Sequence, residues 1–290
     1  MPEMINTSLT TVKQMVDENI ENLLQNENPM IEALFNSARY STAGGKRIRA
    51  VYVFLLGNML SIPNDKLLTI ATAIELVHTA SLVMDDLPYM DDSQLRRGKP
   101  ANHVVFGQDV ALLTSVGLIS KAIEIALTSD ALTDEERTHA ATLLTRSFGF
   151  DGLAAGQFLD LKIRRKVANS EIFKFINQKK NAALLIVAGE TCALLGNVNE
   201  KQKQAIKVFS ENIGLAFQIV DELGELESND AALGRSPDQE RMTFVKWVGI
   251  EEAKRILSES IEKADKELSI FGQKAEDLKA FGRYLIQRTS

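Results

Sequence analysis

The sequence predicts an all-α protein, a single-domain bundle of about ten or more helices around a central cavity. Three observations predict it. Long apolar stretches recur at helical spacing, acidic residues gather where several of them begin, and β-branched runs of period two are almost absent. With 290 residues, 45 % of them hydrophobic, the chain can bury a large core. No linker-like stretch rich in proline, glycine or serine and no fixed-period repeat interrupts it, so residues 1–290 are expected to form one domain.

Apolar runs over 48–60, 67–84, 108–127, 133–147, 171–195 and 200–223 predict the main helices. The run 67–84 reads LLTIATAIELVHTASLVM and predicts a helix buried on most sides. Thr133 before Asp134, Glu135 and Glu136, and Asn199 before Glu200, predict helix starts, because acidic side chains favour the positive end of the helix dipole. Residues 251–268 and 274–287 mix charged and apolar positions at helical spacing, as helices packed on a surface do.

A formal net charge of −6 argues against general nucleic-acid binding, which needs a basic surface. The lone cysteine, Cys192, excludes an intramolecular disulfide framework and suits a reducing compartment. No basic region followed by an apolar run opens the chain, so no signal peptide is expected. The most apolar stretches, such as 51–56 and 182–189, are short for a bilayer, and a cytoplasmic protein without a transmembrane segment is expected.

The string Asp85-Asp86-Leu87-Pro88-Tyr89-Met90-Asp91-Asp92 follows the apolar run 67–84. Carboxylates behind a buried helix are costly unless something neutralises them. On a helix, Asp85 would lie about two turns from Asp91 and Asp92 along one side, with Pro88 disturbing the backbone between them. Such a cluster suits Mg²⁺ when phosphate oxygens complete its shell. It is also what a solvated acidic helix end looks like. Arg96 and Arg97, followed by Gly98-Lys99-Pro100, turn the reading towards metal-bridged phosphates. A second acidic face holds Gln218, Asp221 and Glu225 at i, i+3 and i+7. Surface helices carry such acids routinely, and the pattern gains weight only as the mate of the first cluster.

Basic residues complete the set. Gly44-Gly45-Lys46-Arg47-Ile48-Arg49 opens an apolar helix, with Lys46 and Arg49 expected on one helical side. A basic helix cap would look the same. Lys179, Lys180 and Asn181 precede the apolar run 182–189, where a charged helix end is an equally ordinary reading. His78, taken alone in an apolar segment, reads as a core histidine.

Taken together, GGKRIR at 44–49, DDLPYMDD at 85–92, LRRGKP at 95–100, GLAAGQFLDL at 152–161 and FQIVDE at 217–222 resemble, in order, the motifs of the trans-isoprenyl diphosphate synthases, the polyprenyl synthetase family. The resemblance implies an Mg²⁺-dependent prenyltransferase that condenses an allylic prenyl diphosphate with isopentenyl diphosphate, using two or three ions per site. It implies a homodimer, with Asp85, Asp86, Asp91, Asp221 and Glu225 around the metal. It places Lys46, Arg49, His78 and Arg97 on isopentenyl diphosphate. It places Arg96, Lys180, Asn181, Gln157, Gln218 and Arg241 on the allylic diphosphate, with Asp160 beside Gln157. Catalysis would rest on Asp85, Asp86, Asp91, Lys180 and Asp221. Ala80 and Ser81 would set chain length, and a small residue at Ala80 points to C15–C20 products, geranylgeranyl diphosphate favoured.

The sequence also departs from the family pattern. The second acidic motif reads Asp221-Glu222-Leu223-Gly224-Glu225 instead of DDxxD, Lys180-Asn181 stands for Lys-Thr, and GRSPDQERMTF at 234–244 shortens a lysine-rich segment. Val116 replaces an aspartate and Met84 a histidine. Two other readings therefore stand beside elongation: a terpene-synthase-like enzyme that ionises a prenyl diphosphate without adding isopentenyl units, and a weakly active or non-catalytic partner subunit.

Overall fold

The computed structural model describes residues 3–163, 169–227 and 243–286, and these are almost wholly helical. In chain order the helices are α1 (Glu3–Leu23), α2 (Glu32–Thr42), α3 (Ile48–Met59), α4 (Asn64–Asp85), α5 (Asn102–Phe106), α6 (Gln108–Thr128) and α7 (Asp134–Phe148). Then come α8 (Leu153–Ile163), α9 (Ser170–Ile176), α10 (Ala183–Leu195), α11 (Glu200–Glu227), α12 (Phe244–Val248), α13 (Ile250–Glu267) and α14 (Glu276–Ile286). A two-stranded hairpin, β1 (Leu95–Arg96) and β2 (Lys99–Pro100), separates α4 from α5.

The all-α expectation holds, and the apolar runs become helices close to their predicted bounds. Both predicted caps form. The Thr133 hydroxyl accepts the Glu136 N–H at 3.3 Å while Glu136 accepts the Thr133 N–H at 2.9 Å. Asn199 and Gln202 make the same reciprocal pair at 3.0 and 3.1 Å. The main apolar cluster draws side chains from both ends of the chain, from α1 to α14, but none from α5 or α9. At its centre Tyr52 of α3 stacks between Phe209 of α11 and Phe281 of α14, and its hydroxyl meets the Ser210 hydroxyl at 2.7 Å.

Three expectations are corrected. The run 171–195 is not one helix: a π-helical turn, Asn177–Asn181, separates α9 from α10, and the Ala182 N–H reaches back five residues to the Asn177 carbonyl. Lys46 and Arg49 do not share a helix face. Arg47 takes a left-handed conformation at φ 53° and starts α3 only after itself, leaving Lys46 in the preceding loop. Thirdly, some stretches are long enough for a bilayer: α4 and α6, at 22 and 21 residues, are long and apolar enough to cross a membrane by length and composition. α4 is instead buried by its neighbours over most of its length, while α6 keeps part of its apolar surface exposed.

Arg47 shows why the loop before α3 is fixed. It is 2 % exposed, and its guanidinium meets Asp17 of α1 at 2.7 Å and Glu75 of α4 at 3.4 Å. Glu75 also accepts the Ala50 N–H at 3.1 Å, which ties the first turn of α3 to α4. These buried charges are paired and hydrogen-bonded, as burial requires.

Close helix packing is equally specific. A Cβ on Gly214 of α11 would fall 2.2 Å from the Ala182 Cβ and 2.6 Å from its Cα. A Cβ on Gly224, on the same helix, would meet nothing within 4 Å among the described residues. Gly214→Ala should therefore cost about 1–3 kcal/mol by overpacking, whereas Gly224→Ala should be neutral or stabilising by up to about 1 kcal/mol. Thermal melts of the two variants check this, and equal melting temperatures would contradict the packing.

Candidate functional site

α4 delivers its C-terminal end to the site. The helix stops at Asp85, so Asp91 and Asp92 are not two turns further along it. The chain doubles back instead: the Asp91 N–H donates to the Asp85 carbonyl at 2.8 Å and the Ser93 N–H to the Asp86 carbonyl at 3.2 Å. Asp85 and Asp91 thus become neighbours through a loop, which corrects the helical spacing argument. Asp86 and Asp91 are buried, at 2 % and 6 % exposure.

The hairpin supplies the first cations. Arg97 and Gly98 both have positive φ, 54° and 72°, as a tight primed turn requires. This geometry sends Arg96 onto the Asp86 carboxylate, where its Nε donates to both oxygens at 3.1 Å and its Nη2 adds a further bond. Arg97 leans the other way, towards the Ala43 carbonyl at 3.3 Å.

Two clefts meet at Leu82 and Arg96. The first, about 600 Å³, lies between Gly44, Thr79, Arg97 and Lys99. The second, about 810 Å³, is walled by Asp85 and Asp91 on one side and by Gln218 and Asp221 of α11 on another, with Asp160, Lys180 and Asn181 between them. Lys180 extends from the π-helical turn to Asp160 of α8 at 2.7 Å and stands 3.9 Å from Asp85. The turn and α8 approach closely because Gly156 has no side chain; a Cβ there would sit 2.7 Å from the Lys180 nitrogen.

Of the residues read from sequence, Asp85, Asp91, Arg96, Lys180, Asn181, Gln218 and Asp221 line one cleft, and Asp86, Arg96 and Arg97 line the other. Lys46 is exposed in the loop before α3. Gln157 lies on α8 near Asp160, and both its amide atoms are buried with no partner among the described residues. Ala80 is fully buried, with the Ser115 hydroxyl of α6 on its carbonyl at 3.1 Å. Ser81 is half-buried and bonds the His78 carbonyl at 2.8 Å. Glu225 belongs to α11, its side chain outside the described part, and Arg241 lies outside the described residues. Among the departures, Val116 is exposed on α6 and Met84 sits half-buried at the end of α4.

Sequence reasoning missed Arg47 and Glu75, which hold the loop before α3. A lone glutamate in the apolar run 67–84 was the available signal, because a buried carboxylate needs a buried cation.

The electrostatics favour anions beside α3 and α4. Arg49 Nη1 lies 3.2 Å from His78 Nε2. Burial, then the guanidiniums of Arg49, Arg97, Arg96 and Arg47, hold the His78 imidazole well below the usual histidine range. Of these, Arg96 is paired with Asp86 and Arg47 with Asp17 and Glu75, so part of the positive charge around the ring is already offset. Burial also lowers Arg49, with Glu75 and Asp221 pulling against it. A protein thiol plays no part: Cys192 is buried and burial pushes its thiol up to about 12.

The acidic residues suit a hard cation by their oxygen donors. Among the described residues no three histidine, cysteine or carboxylate groups converge closely enough to hold a metal by themselves. Mg²⁺ uses one or two carboxylates and takes its remaining oxygens from water and phosphate, so the donor set fits that ion bound together with a phosphate ester.

The polyprenyl synthetase family profile matches residues 31–277. The chain is 32 % identical to a geranylgeranyl diphosphate synthase of Cyanophora paradoxa, over 98 % of this chain and 96 % of that protein. It is 31 % identical to a geranylgeranyl diphosphate synthase of Pantoea ananas, over 88 % of this chain and 84 % of that protein. Among solved structures, an FPP/GFPP synthase from Zymomonas mobilis superposes with a TM-score of 0.89 at 29 % identity, covering 99 % of this chain and 100 % of that one. A geranyltransferase from Legionella pneumophila gives 0.88 at 28 %, covering 99 % and 98 %.

The field around His78 makes a prediction. Its imidazole should stay neutral through pH 6.5, the ordinary histidine value, and gain a proton only well below it. The neutral ring then contributes stability above 6.5 that is lost as pH falls from 6.5 through the folded value. Proton NMR of the His78 ring, assigned with His78→Gln, checks this; titration at or above 6.5 would contradict a ring buried beside these guanidiniums.

Proposed function

We propose that this chain, which belongs to the polyprenyl synthetase family and is a prenyltransferase, joins isopentenyl diphosphate to an allylic prenyl diphosphate and releases diphosphate. The observation that carries the substrate assignment is the pair of clefts meeting at Arg96: one with Arg97 and Lys99, where the carboxylate of Asp86 is already paired with Arg96, and one with facing carboxylates and Lys180. Two diphosphate esters can lie side by side there, each with its own countercharge.

Isopentenyl diphosphate is assigned to Lys46, Arg49, His78 and Arg97. The allylic diphosphate is assigned to Arg96, Lys180, Asn181, Gln157 and Gln218, with Arg241 as a sequence-based addition. Asp85, Asp91 and Asp221 hold Mg²⁺, with Glu225 assigned by its place on α11 and Asp86 acting through its pair with Arg96. Bound Mg²⁺ supplies positive charge for the phosphate oxygens of the leaving group. In the reaction the allylic C–O bond breaks and diphosphate leaves with the electron pair. The isopentenyl double bond attacks the resulting cation, and a proton lost to the departed diphosphate restores an alkene five carbons longer. Arg96 and Lys180 stabilise charge developing on the leaving group. The apolar residues of α4 above Asp85 exclude water that would capture the cation.

The small side chain of Ala80, five residues before Asp85, supports a C15–C20 product with geranylgeranyl diphosphate favoured. A second copy of the chain is the assigned partner for α6. Leu113 and Val116 are 56 % and 54 % exposed there, and Leu112 and Leu127 share the apolar face with them. One domain and a cytoplasmic location complete the reading.

Incubation with Mg²⁺, isopentenyl diphosphate and C5, C10 or C15 allylic diphosphates should yield elongated diphosphates, with geranylgeranyl diphosphate the main product. Hydrocarbons or alcohols formed without consumption of isopentenyl diphosphate would refute the assignment. Asp85→Ala should lower kcat about a hundredfold or more; near-normal turnover would remove Asp85 from the site. Leu113→Asp combined with Val116→Asp should convert a dimer to monomer in sedimentation velocity, and a dimer that persists would place the interface elsewhere.

A further inference from the structure

The second acidic motif departs from its family pattern at Glu222, and the structure gives that glutamate a different employment. Its Oε2 accepts the Val245 N–H at 2.8 Å, and its Oε1 accepts a bond from Gln218 Nε2 at 2.9 Å. Val245 is the second residue of α12, so its N–H is one of the donors that a helix start leaves without an internal partner. Thr243 caps the same end through the Lys246 N–H at 3.2 Å.

A five-residue helix such as α12 does not persist by itself. Besides Glu222, an aromatic cluster holds it: Trp247 lies 4.9 Å and Phe244 5.8 Å from the Phe173 ring of α9. Thr243, Phe244 and Phe173 all line the carboxylate-walled cleft. An aspartate at 222 is one methylene shorter and would fall back from Val245, so the glutamate is suited to this span.

We infer that Glu222 is a positioning residue: by accepting the Val245 N–H it fastens α12 to α11 and keeps the Thr243–Phe244 wall of the allylic cleft in place, leaving cation binding at that point to Asp221. The role in catalysis rests on the proposed prenyl transfer; the clamp itself does not.

The two possible roles rank conservative variants in opposite order. In Glu222→Gln the amide oxygen can still accept the Val245 N–H, and once the Gln218 amide turns over, the new NH₂ can donate to Gln218 Oε1, which is buried and has no partner among the described residues. This variant should keep kcat, the allylic KM and the Mg²⁺ requirement within about twofold of the parent. Glu222→Asp keeps the charge but loses the reach, and Glu222→Ala loses both. These two should raise the KM for the allylic diphosphate about tenfold, the effect of one charged hydrogen bond, with kcat and Mg²⁺ saturation little changed. A metal ligand would give the reverse: Asp tolerated, and Gln as damaging as Asp221→Asn in kcat and Mg²⁺ dependence. That result would overturn the inference.

Trp247, the only tryptophan of the chain, reads the clamp without turnover. Its emission should shift to the red and its acrylamide quenching rise in Glu222→Asp and Glu222→Ala but not in Glu222→Gln. Unchanged emission and quenching in the Asp and Ala variants would overturn the clamp even if the enzyme elongates prenyl chains. Should the parent protein transfer no prenyl group, the proposed function fails and the fluorescence series still decides the clamp. If Glu222→Ala does not fold, the Asp and Gln pair carries the same test.

Discussion

Charged groups gathered at one end of an apolar helical bundle must neutralise one another until a ligand takes over. Most of the molecule's particular features answer this constraint. Asp86 is closed off by Arg96, Asp160 by Lys180, and Glu75 by Arg47. Each pair holds a side chain that would be costly to bury alone. The arrangement is ready for exchange as well as stable. Lys180 already stands between Asp160 and Asp85, and a bound diphosphate can recruit it by offering more charge than one carboxylate does.

The bundle makes this possible by bringing chain segments far apart in sequence to one place. α4 carries apolar residues inward and ends on Asp85; the hairpin returns Arg96 to Asp86 ten residues later. α8, the π-helical turn and α11 close the opposite side. Irregular backbone concentrates here: the left-handed Arg47, the primed turn at Arg97 and Gly98, and the widened turn at Asn177–Asn181. The regular helices supply rigidity, and the exceptions aim side chains at the clefts.

Much of this was legible in the sequence, for identifiable reasons. Helix starts at Thr133 and Asn199 were visible because capping is local chemistry between residues three apart. The first acidic cluster was visible because RRGKP follows it so closely, and the second only as its mate, since either set of acids alone is ordinary on a helix surface. The break at 177–181 was only half visible: Asn177-Gln178-Lys179-Lys180-Asn181 interrupts the apolar run and reads as a charged helix end, but nothing in five polar residues tells a π turn from a solvated stretch of one continuous helix. The separation of Lys46 from Arg49 was hidden for a related reason: the start of α3 is set by Arg47 reaching Asp17 and Glu75, contacts 30 and 28 residues away. The engagement of Glu222 with Val245 was likewise beyond local reading, because its partner lies 23 residues on.

The central claim is that these clefts bind a diphosphate ester through Mg²⁺ shared with their carboxylates. Calorimetric titration with a non-ionisable prenyl thiolodiphosphate, run with Mg²⁺ and then with EDTA, tests it most directly. The account predicts saturable binding that needs Mg²⁺ and weakens sharply in Asp221→Asn. Binding that is equally tight in EDTA, or no binding at all to the metal-supplied folded protein, would contradict it.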